Sequence, residues 1–515
     1  MAIQKVGIVV RQSLKGTFVN YVGVVFGAFI QFYCVAAWLD KPVQGLLKVV
    51  YEAAALLSVL ALMGSGSAGM RFFPLFKDKA TGNHGFFYYY LLFPAIGLPL
   101  MTVLYVLLQE PILDYFNEKS PQFNEYFYYV LPLMVVLTFW QWWESFANIH
   151  LRIAIPKAIR EIGMRVMMVG IYFSFYRGWI DVSGMIFAFI AAYGVCMLST
   201  GIYSCHIGCT ELKHDWKFVT PDLKQKVCRY SGFLMIATIS GNIMNQLDLW
   251  MLTGVRGLYA AGIYTMAGYM AEVVNMPARN ITPISNPLAA EAMKNGDIAK
   301  ARDLYSQVSV HQMLASAVLL LLIWINIDNI FEILPRRADG GYEAGKWAVL
   351  YLGLSKVIYS TLNFGNTLIS FSKYYYWTLV VTVILTGLTI CTNLLFIDGC
   401  HRDLYLFTLD IPALGLTGAA LATLMTCFLS YCYQQFIVQV MIKANPFTWA
   451  HLRILILVAV LFGVNLLVPD LSEVSPWLDL VARSAVYVVV GTVLVYHLKI
   501  SPQVESFLGK YLHRK

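Results

Sequence analysis

Fourteen stretches of this sequence are almost wholly apolar, and each is about as long as a bilayer is thick. A helix needs about 20 such residues to cross the hydrocarbon core. They lie near 17–39, 43–69, 85–108, 126–149, 161–178, 182–205, 231–254, 258–281, 309–333, 345–371, 375–397, 411–441, 452–469 and 479–498. No connecting loop reaches domain size, and the longest, about 206–230 and 284–308, are basic. Only 13% of the 515 residues are charged and 59% are hydrophobic. A soluble chain carries about 25% charge, so the polar surface missing here must be lipid-facing. A soluble enzyme, a disordered chain and a nucleic-acid binder are excluded. The net charge of +8 is therefore a statement about topology.

Lysine and arginine accumulate on the cytoplasmic side of membrane proteins. With the N-terminus inside, 26 of the 37 Lys and Arg fall in inside loops, nine fall outside and two, Lys48 and Lys356, lie within spans. Dropping one span would invert everything downstream and blur that bias, so the expectation is fourteen spans with both termini cytoplasmic. Acidic clusters lean the other way: Glu110, Asp114, Glu118 and Glu125, and Asp328, Glu332, Asp339 and Glu343, fall in outside loops. The N-terminal segment carries Lys5, Arg11 and Lys15 before the first span, with no small-residue cleavage site after it. It reads as a retained helix.

The nine cysteines contain no CxxC pair and mostly sit in apolar runs, which argues against a disulfide framework or a zinc ribbon. Cys205-His206 with Cys209 lacks a second ligand pair, so no metal is expected there. Aromatic clusters at 88–90, 126–129 and 374–377 read as interfacial belts. Gly64 to Gly69 satisfies GxGxxG but has no strand before it and no βαβ unit around it, so it reads as close helix packing. No HExxH, GxSxG or Walker pattern stands in a credible context, which disfavours an ATP-driven pump.

Charges inside spans cost free energy and usually face a water-filled cavity or a partner. Six qualify: Lys48, Glu52, Glu144, Asp248, Glu272 and Lys356. Lys48 and Glu52 are four apart and share a helix face. Gln141, Glu144 and Asn148 share another, as do Glu272, Asn275 and Arg279, and Asn245 lies close to Asp248. Lys356, Ser360, Asn363 and Thr367 form the longest stripe, in a span with no acid of its own to neutralise the lysine. The plain alternative is that such groups only glue helices together. Stripes on both halves of the chain lead us to expect a hydrated cavity carrying basic and acidic groups.

Val43-Gln44-Gly45-Leu46 after the first span is echoed by Val255-Arg256-Gly257-Leu258 after the seventh, and each copy leads on to a proline, Pro74 and Pro287. Six spans per repeat keep both copies in one orientation, which gives two parallel lobes. The expected division is a lobe at 1–208, a cytoplasmic connector at 209–230, a second lobe at 231–441, and two further helices with a tail at 442–515.

Asn245-Gln246-Leu247-Asp248, Gly257 to Tyr264, Pro283 to Pro287 and Ala289-Ala290-Glu291 together resemble the seventh-to-eighth-helix region of Wzx-type oligosaccharide flippases. Asn393 to Ile397 followed by Gly415 to Thr423 is similar to their eleventh-to-twelfth-helix signature, and Gly45 through Arg71 and Pro74 to their second helix. A longer loop between Asp398 and Asp410 departs from the pattern. The resemblance spans essentially the whole chain and rests on packing and turn motifs, which identify a superfamily better than a substrate. It implies an all-α polytopic membrane protein of the multidrug/oligosaccharidyl-lipid/polysaccharide exporter type, with two six-helix lobes in a V and two extra helices. It further implies a flippase that carries undecaprenyl-diphosphate-linked oligosaccharide to the outer leaflet of the bacterial inner membrane by alternating access, for lipopolysaccharide or other surface polysaccharide.

The residues fit that chemistry. A lipid diphosphate carries about two negative charges, which calls for basic groups such as Lys48, Arg71, Arg279 and Lys356. Asn245, Ser360, Asn363, Gln141 and Asn148 are candidates for glycan-facing walls. Asp248, Glu272, Glu144 and Glu52 are candidates for coupling to protons or sodium, with no other cofactor expected. The expected partners are the lipid-linked substrate, membrane lipid and polysaccharide polymerase machinery. Two other readings stand beside this one: a multidrug or peptidoglycan-precursor exporter of the same superfamily, and a membrane glycan polymerase or ligase. The last needs a sizeable outside loop with catalytic Arg or His, and only the short 334–344 and 398–410 are available.

Overall fold

The computed structural model describes residue 23 and residues 26–500, apart from 79–81, 151, 153, 209, 211, 213–217, 338, 375 and 405–406. Of residue 67, most of 233–245, residues 283–284, 287 and 379, and 400–411, only the backbone is described. The basic N-terminal segment, Cys209, the side chain of Asn245 and the tail beyond residue 500 therefore lie outside the described residues.

The architecture is helical, and the apolar stretches fall mainly on helix where they are described. In chain order the helices are α1 (Phe26–Trp38), α2 (Lys41–Ala61), α3 (Ser65–Phe76), α4 (Phe86–Leu107), α5 (Gln109–Asn117), α6 (Pro121–Glu125) and α7 (Val130–Ile149). There follow α8 (Met164–Tyr176), α9 (Val182–Ile207), α10 (Pro221–Val274), α11 (Met276–Lys294), α12 (Ile298–Ile325) and α13 (Ile327–Ile333). The last six are α14 (Lys346–Leu362), α15 (Phe364–Phe371), α16 (Tyr376–Ile397), α17 (Gly415–Ile437), α18 (Trp449–Asn465) and α19 (Pro476–His497). Among the described residues the only strands, β1 (Cys400–Leu404) and β2 (Phe407–Ile411), form an antiparallel hairpin in the long loop after α16, with Arg402 opposite Leu409.

Among the described residues, seven helices are long and apolar enough to cross a membrane by length and composition: α2, α4, α9, α12, α16, α17 and α19. Other spans are divided into shorter pieces. The tenth breaks at Asn363 into 17 and 8 residues, and α2 is separated from α3 by Gly64 at φ 73°. α10 carries a break at Gly257, whose φ of 82° and ψ of 174° only glycine adopts without strain. Helix starts are fixed by local chemistry: Asp181 accepts from the Gly184 amide at 2.7 Å and Asp297 from the Lys300 amide at 2.9 Å, capping α9 and α12.

The chain divides into two compact units, Met1–Gly262 and Ile263–Lys515. In the first, α7 packs between α2 and α9, with α3 and α4 also against α7. An aromatic cluster of Phe73, Phe76, Phe86, Phe87, Tyr90, Trp142 and Phe146 fills the joint of α3, α4 and α7. Tyr90, from the expected 88–90 belt, is 2% exposed and stacks on Trp142, so it is core rather than an interfacial anchor. Phe127 of the 126–129 belt is likewise 1% exposed, stacked on Tyr105. The last turns of α10 in this unit are held by side chains from α5 and the start of α6: Tyr115 donates to the Met251 carbonyl at 3.3 Å and Ser120 to that of Thr253 at 2.8 Å. Backbones of α2 and α10 touch: a Cβ on Gly45 would lie 2.2 Å from the Leu258 oxygen, and one on Gly262 2.2 Å from the Lys41 oxygen. The two copies of the sequence echo thus meet at Gly45 and Leu258.

In the second unit, α14 packs on α12 and α17, α17 on α16, and α11 on α12 and α15. The C-terminal pair α18 and α19 buries Ile454, Leu457, Leu461 and Tyr487 against Val310, Ala317, Leu321 and Ile325 of α12. The pair is fastened by polar contacts at both ends, through Ser309 Oγ and His451 Nε2 at 2.9 Å at one end and through Asn329 and Asp479 at 2.5 Å at the other.

Candidate functional site

The second unit joins two of the sequence stripes into one array. Lys356, on α14, reaches across to Oε1 of Glu272 near the end of α10. The other carboxylate oxygen, Oε2, accepts from Arg279 Nη2 at 2.6 Å and from Asn275 Nδ2 at 3.3 Å. The i, i+3, i+7 spacing of Glu272, Asn275 and Arg279 does place them together, although the helix breaks at Asn275 between α10 and α11. The acid missing from the span of Lys356 is supplied by another span. The three charged side chains keep contact with solvent, at 28% for Lys356, 35% for Glu272 and 59% for Arg279.

The frame behind this array is rigid for identifiable reasons. The break at Asn363 frees the Leu362 carbonyl at the end of α14, and two side chains capture it: Tyr305 of α12 donates to it at 3.1 Å and Gln434 of α17 at 3.3 Å. A Cβ on Gly365 would lie 2.7 Å from the Tyr305 hydroxyl, so glycine there permits the approach. Cys427 of α17 donates to the Ser355 carbonyl at 3.3 Å, next to Lys356. Ser360 Oγ and Asn275 Oδ1 are buried with no hydrogen-bond partner among the described residues. Asn363 is half-buried at the helix break.

The first unit scatters its candidates. Lys48 and Glu52 pair at 2.5 Å along α2, as their spacing predicts, and Lys48 also lies over the Tyr51 ring at 5.7 Å. Gln141 and Glu144 diverge: Gln141 donates to Ser58 Oγ at 2.9 Å, while Glu144 accepts two bonds from Arg160 Nη1 at 3.0 and 3.1 Å. Arg160 leads into a π-helical turn (Ile159–Gly163), where Glu161 pairs with both Arg160 and Arg165. Asn148 Oδ1 is buried with no hydrogen-bond partner among the described residues. Asp248 is buried in α10 at 7% exposure. Arg71 is exposed, with its guanidinium 4.2 Å from the Tyr230 ring centre.

One cluster had no counterpart in the sequence reading. Asp479, 1% exposed, accepts from Asn329, from Arg483 Nε at 2.6 Å and from the Leu471 amide at 3.1 Å. Arg483 also donates to Asn465 Oδ1 at 3.0 Å. Counted by charge, Arg483 belongs to an outside loop; in the structure it lies on α19 with its side chain 11% exposed. The i, i+4 spacing of Asp479 and Arg483 was the available signal.

The profile of a family described as polysaccharide biosynthesis protein matches residues 13–288, more than half of the chain. No curated protein matches the sequence. Among solved structures the fold is similar to that of lipid II flippase MurJ in an inward closed conformation. That similarity has a TM-score of 0.68 at 12% identity, covering 94% of this chain and 98% of that one. An inward-facing multidrug resistance MATE family transporter of the MOP superfamily matches at 0.56 and 12% identity, over 81% of this chain and 96% of the other. A MOP superfamily transporter from Pyrococcus furiosus matches at 0.54 and 12% identity, over 85% and 96%. A helical polytopic architecture, a profile match over half of the chain and this shared fold agree, and the chain belongs to the polysaccharide biosynthesis protein family, with the fold of a MOP-superfamily transporter.

Proposed function

We propose that the protein is a flippase that carries undecaprenyl-diphosphate-linked oligosaccharide from the cytoplasmic to the outer leaflet of the bacterial inner membrane, for lipopolysaccharide or another surface polysaccharide. The observation that carries this reading is the convergence of Lys356 and Arg279 on one partly exposed carboxylate, Glu272. Two cations that converge on one carboxylate suit the two phosphates of a lipid diphosphate, which accept bidentate and point-charge donors alike. Ser360 and Asn363, at i+4 and i+7 from Lys356, and Asn275 beside Glu272 offer hydroxyl and amide groups for a glycan. Membership of a polysaccharide biosynthesis family and the transporter fold support transport of a glycan precursor over chemistry on it. In this reading the lobes are 1–208 and 231–441, transport proceeds by alternating exposure of the site to the two sides, and both termini are cytoplasmic.

A second reading is favoured by one observation, the similarity to lipid II flippase MurJ over nearly the whole chain. Here the cargo is a peptidoglycan precursor, which presents the same diphosphate. Disrupting the gene and analysing lipid-linked intermediates separates the readings. Accumulation of a complete polysaccharide repeat unit on its lipid in the inner leaflet is the expected outcome. Accumulation of the peptidoglycan precursor favours the second reading. Normal delivery of single units to the outer face with loss of polymer overturns both and indicates a polymerase.

A further inference from the structure

The charges of the Lys356, Glu272 and Arg279 array do not match a diphosphate as they stand, and the mismatch has a mechanical consequence. Two cations and one carboxylate sum to one positive charge. A lipid diphosphate brings about two negative charges, and it must be received by the same donors that Glu272 already occupies: Lys356 Nζ on Oε1 and Arg279 Nη2 on Oε2 at 2.6 Å. Each cation has further N–H groups, but the carboxylate between them halves the positive charge that the incoming anion meets. We infer that Glu272 is a resident stand-in for the substrate, which the diphosphate displaces from Lys356 and Arg279, and that the displaced carboxylate takes up one proton from water for each lipid bound. This rests on the proposed function and names how its site is regulated.

Three observations carry the inference. First, Glu272 spends both oxygens on the two cations, so release from both leaves it with Asn275 Nδ2 as its one remaining hydrogen-bond donor among the described residues. Second, the array is open enough for an anion to reach it, as the exposures of all three charged side chains show. Third, among the described residues no further cation lies against the carboxylate. The ionisable groups facing it from the packed elements are Lys356 and Tyr359 on α14 and Arg279 on α11, with Cys427 of α17 beyond Lys356. Tyrosine and cysteine do not ordinarily ionise near pH 7. With the diphosphate bound and Glu272 still ionised the site carries one net negative charge at membrane depth. One proton on Glu272 makes it neutral, and an uncompensated charge within a membrane span is the more costly state. Binding and proton uptake are then linked by stoichiometry, and release of the lipid returns both the proton and the carboxylate.

The test uses the full chain in phosphatidylcholine nanodiscs, titrated with a monoglycosylated undecaprenyl diphosphate, in which neither phosphate titrates near neutral pH, in weakly buffered solution containing a pH indicator, with undecaprenol as the blank. The expected result is uptake of one proton per lipid bound, and an affinity that weakens by up to about tenfold per pH unit as protons become scarce, the limit for one linked proton. Glu272→Gln is expected to bind without proton uptake, independently of pH, and at alkaline pH at least about tenfold more tightly than the wild type, equivalent to one pH unit of linkage. Wild-type binding with no proton uptake, or binding governed by sodium and not by pH, overturns the inference while leaving the site intact. No binding by the wild type, or unchanged binding by both Lys356→Ala and Arg279→Ala, overturns the proposed site itself. The wild-type proton count needs no variant, so the inference is decided even if Glu272→Gln does not fold.

Discussion

Asp479 and Arg483 face each other one turn apart on α19, Nε to Oδ2 at 2.6 Å, with Asn329 of α13 donating to the same oxygen. The Asp479 carboxylate is buried and gathers donors from three segments, the third being the Leu471 amide in the loop between α18 and α19. The pair therefore fastens the C-terminal helices to α13. Removing Asp479 leaves the largely buried Arg483 with Asn465 and the longer, exposed contact to Asp470 at 3.5 Å, so Asp479→Ala should destabilise the protein by about 3 kcal/mol. Asp479→Asn keeps the shape and some hydrogen bonds and should cost less. Thermal unfolding of the detergent-purified variants measures this; an unchanged melting temperature for Asp479→Ala would show that the contact contributes nothing.

Close backbone approach makes a second prediction. Alanine at Gly45 or Gly262 places a methyl carbon 2.2 Å from a carbonyl oxygen of the facing helix, and backbone cannot swing aside as a side chain does. Each substitution should cost at least the roughly 1–3 kcal/mol of an overpacked core. Gly170 in α8 has nothing within 4 Å of its built Cβ, and Gly170→Ala there should be neutral or stabilise by about 0.5–1 kcal/mol. Equal effects at Gly45 and Gly170, read as folded yield in membranes and melting temperature, would refute the contact.

The helices and the intrahelical pairs were legible because both follow from spacing along one chain. Apolar runs marked the long helices, and four-residue spacing placed Lys48 on Glu52. Spacing is blind to partners on other helices. It left Lys356 without an acid, which Glu272 supplies, and it grouped Gln141 with Glu144, which the structure sends to Ser58 and Arg160. Aromatic runs were ambiguous for a similar reason. Composition alone does not separate a headgroup anchor from a core ring, and Tyr90 and Phe127 are core because Trp142 and Tyr105 lie against them.

His150, just beyond the end of α7, gives a pH dependence with a definite sign. Its ring lies between Phe73 and Phe146, at 4.9 and 4.6 Å, and Nδ1 donates to the Phe146 carbonyl at 2.9 Å. Burial pushes its pKa below the ordinary histidine value, the Phe146 carbonyl opposes that shift, and the nearby Lys77 ammonium adds to it. The folded state thus binds fewer protons than the unfolded chain, and stability rises with pH. The contribution is complete above the unfolded value of about 6.5 and is lost as pH falls through the lower folded value. The wild type should melt at a lower temperature at pH 5 than at pH 7.5. His150→Phe, which keeps the ring packing, should narrow that difference, and an unaltered difference would assign the pH dependence elsewhere.

Transport itself should depend on Lys356 and Arg279 without the fold doing so. Each single alanine variant leaves Glu272 paired to the other cation, and all three side chains reach solvent, so no charge is left buried and alone. Membrane abundance of Lys356→Ala and Arg279→Ala should therefore match that of the wild type. Each nonetheless removes a charged donor to the diphosphate, worth about 1.5–3 kcal/mol, or tenfold and more in affinity. The readout is the amount of lipid-linked repeat unit reaching the outer leaflet per molecule of transporter, compared with Lys226→Ala, whose surface pair with Asp222 at 2.6 Å lies on an exposed turn of α10. Losses at residues 356 and 279 but not at 226 place the two cations in the substrate path. Wild-type rates in both variants would remove them from it, and with them the reason for Glu272 to sit between them.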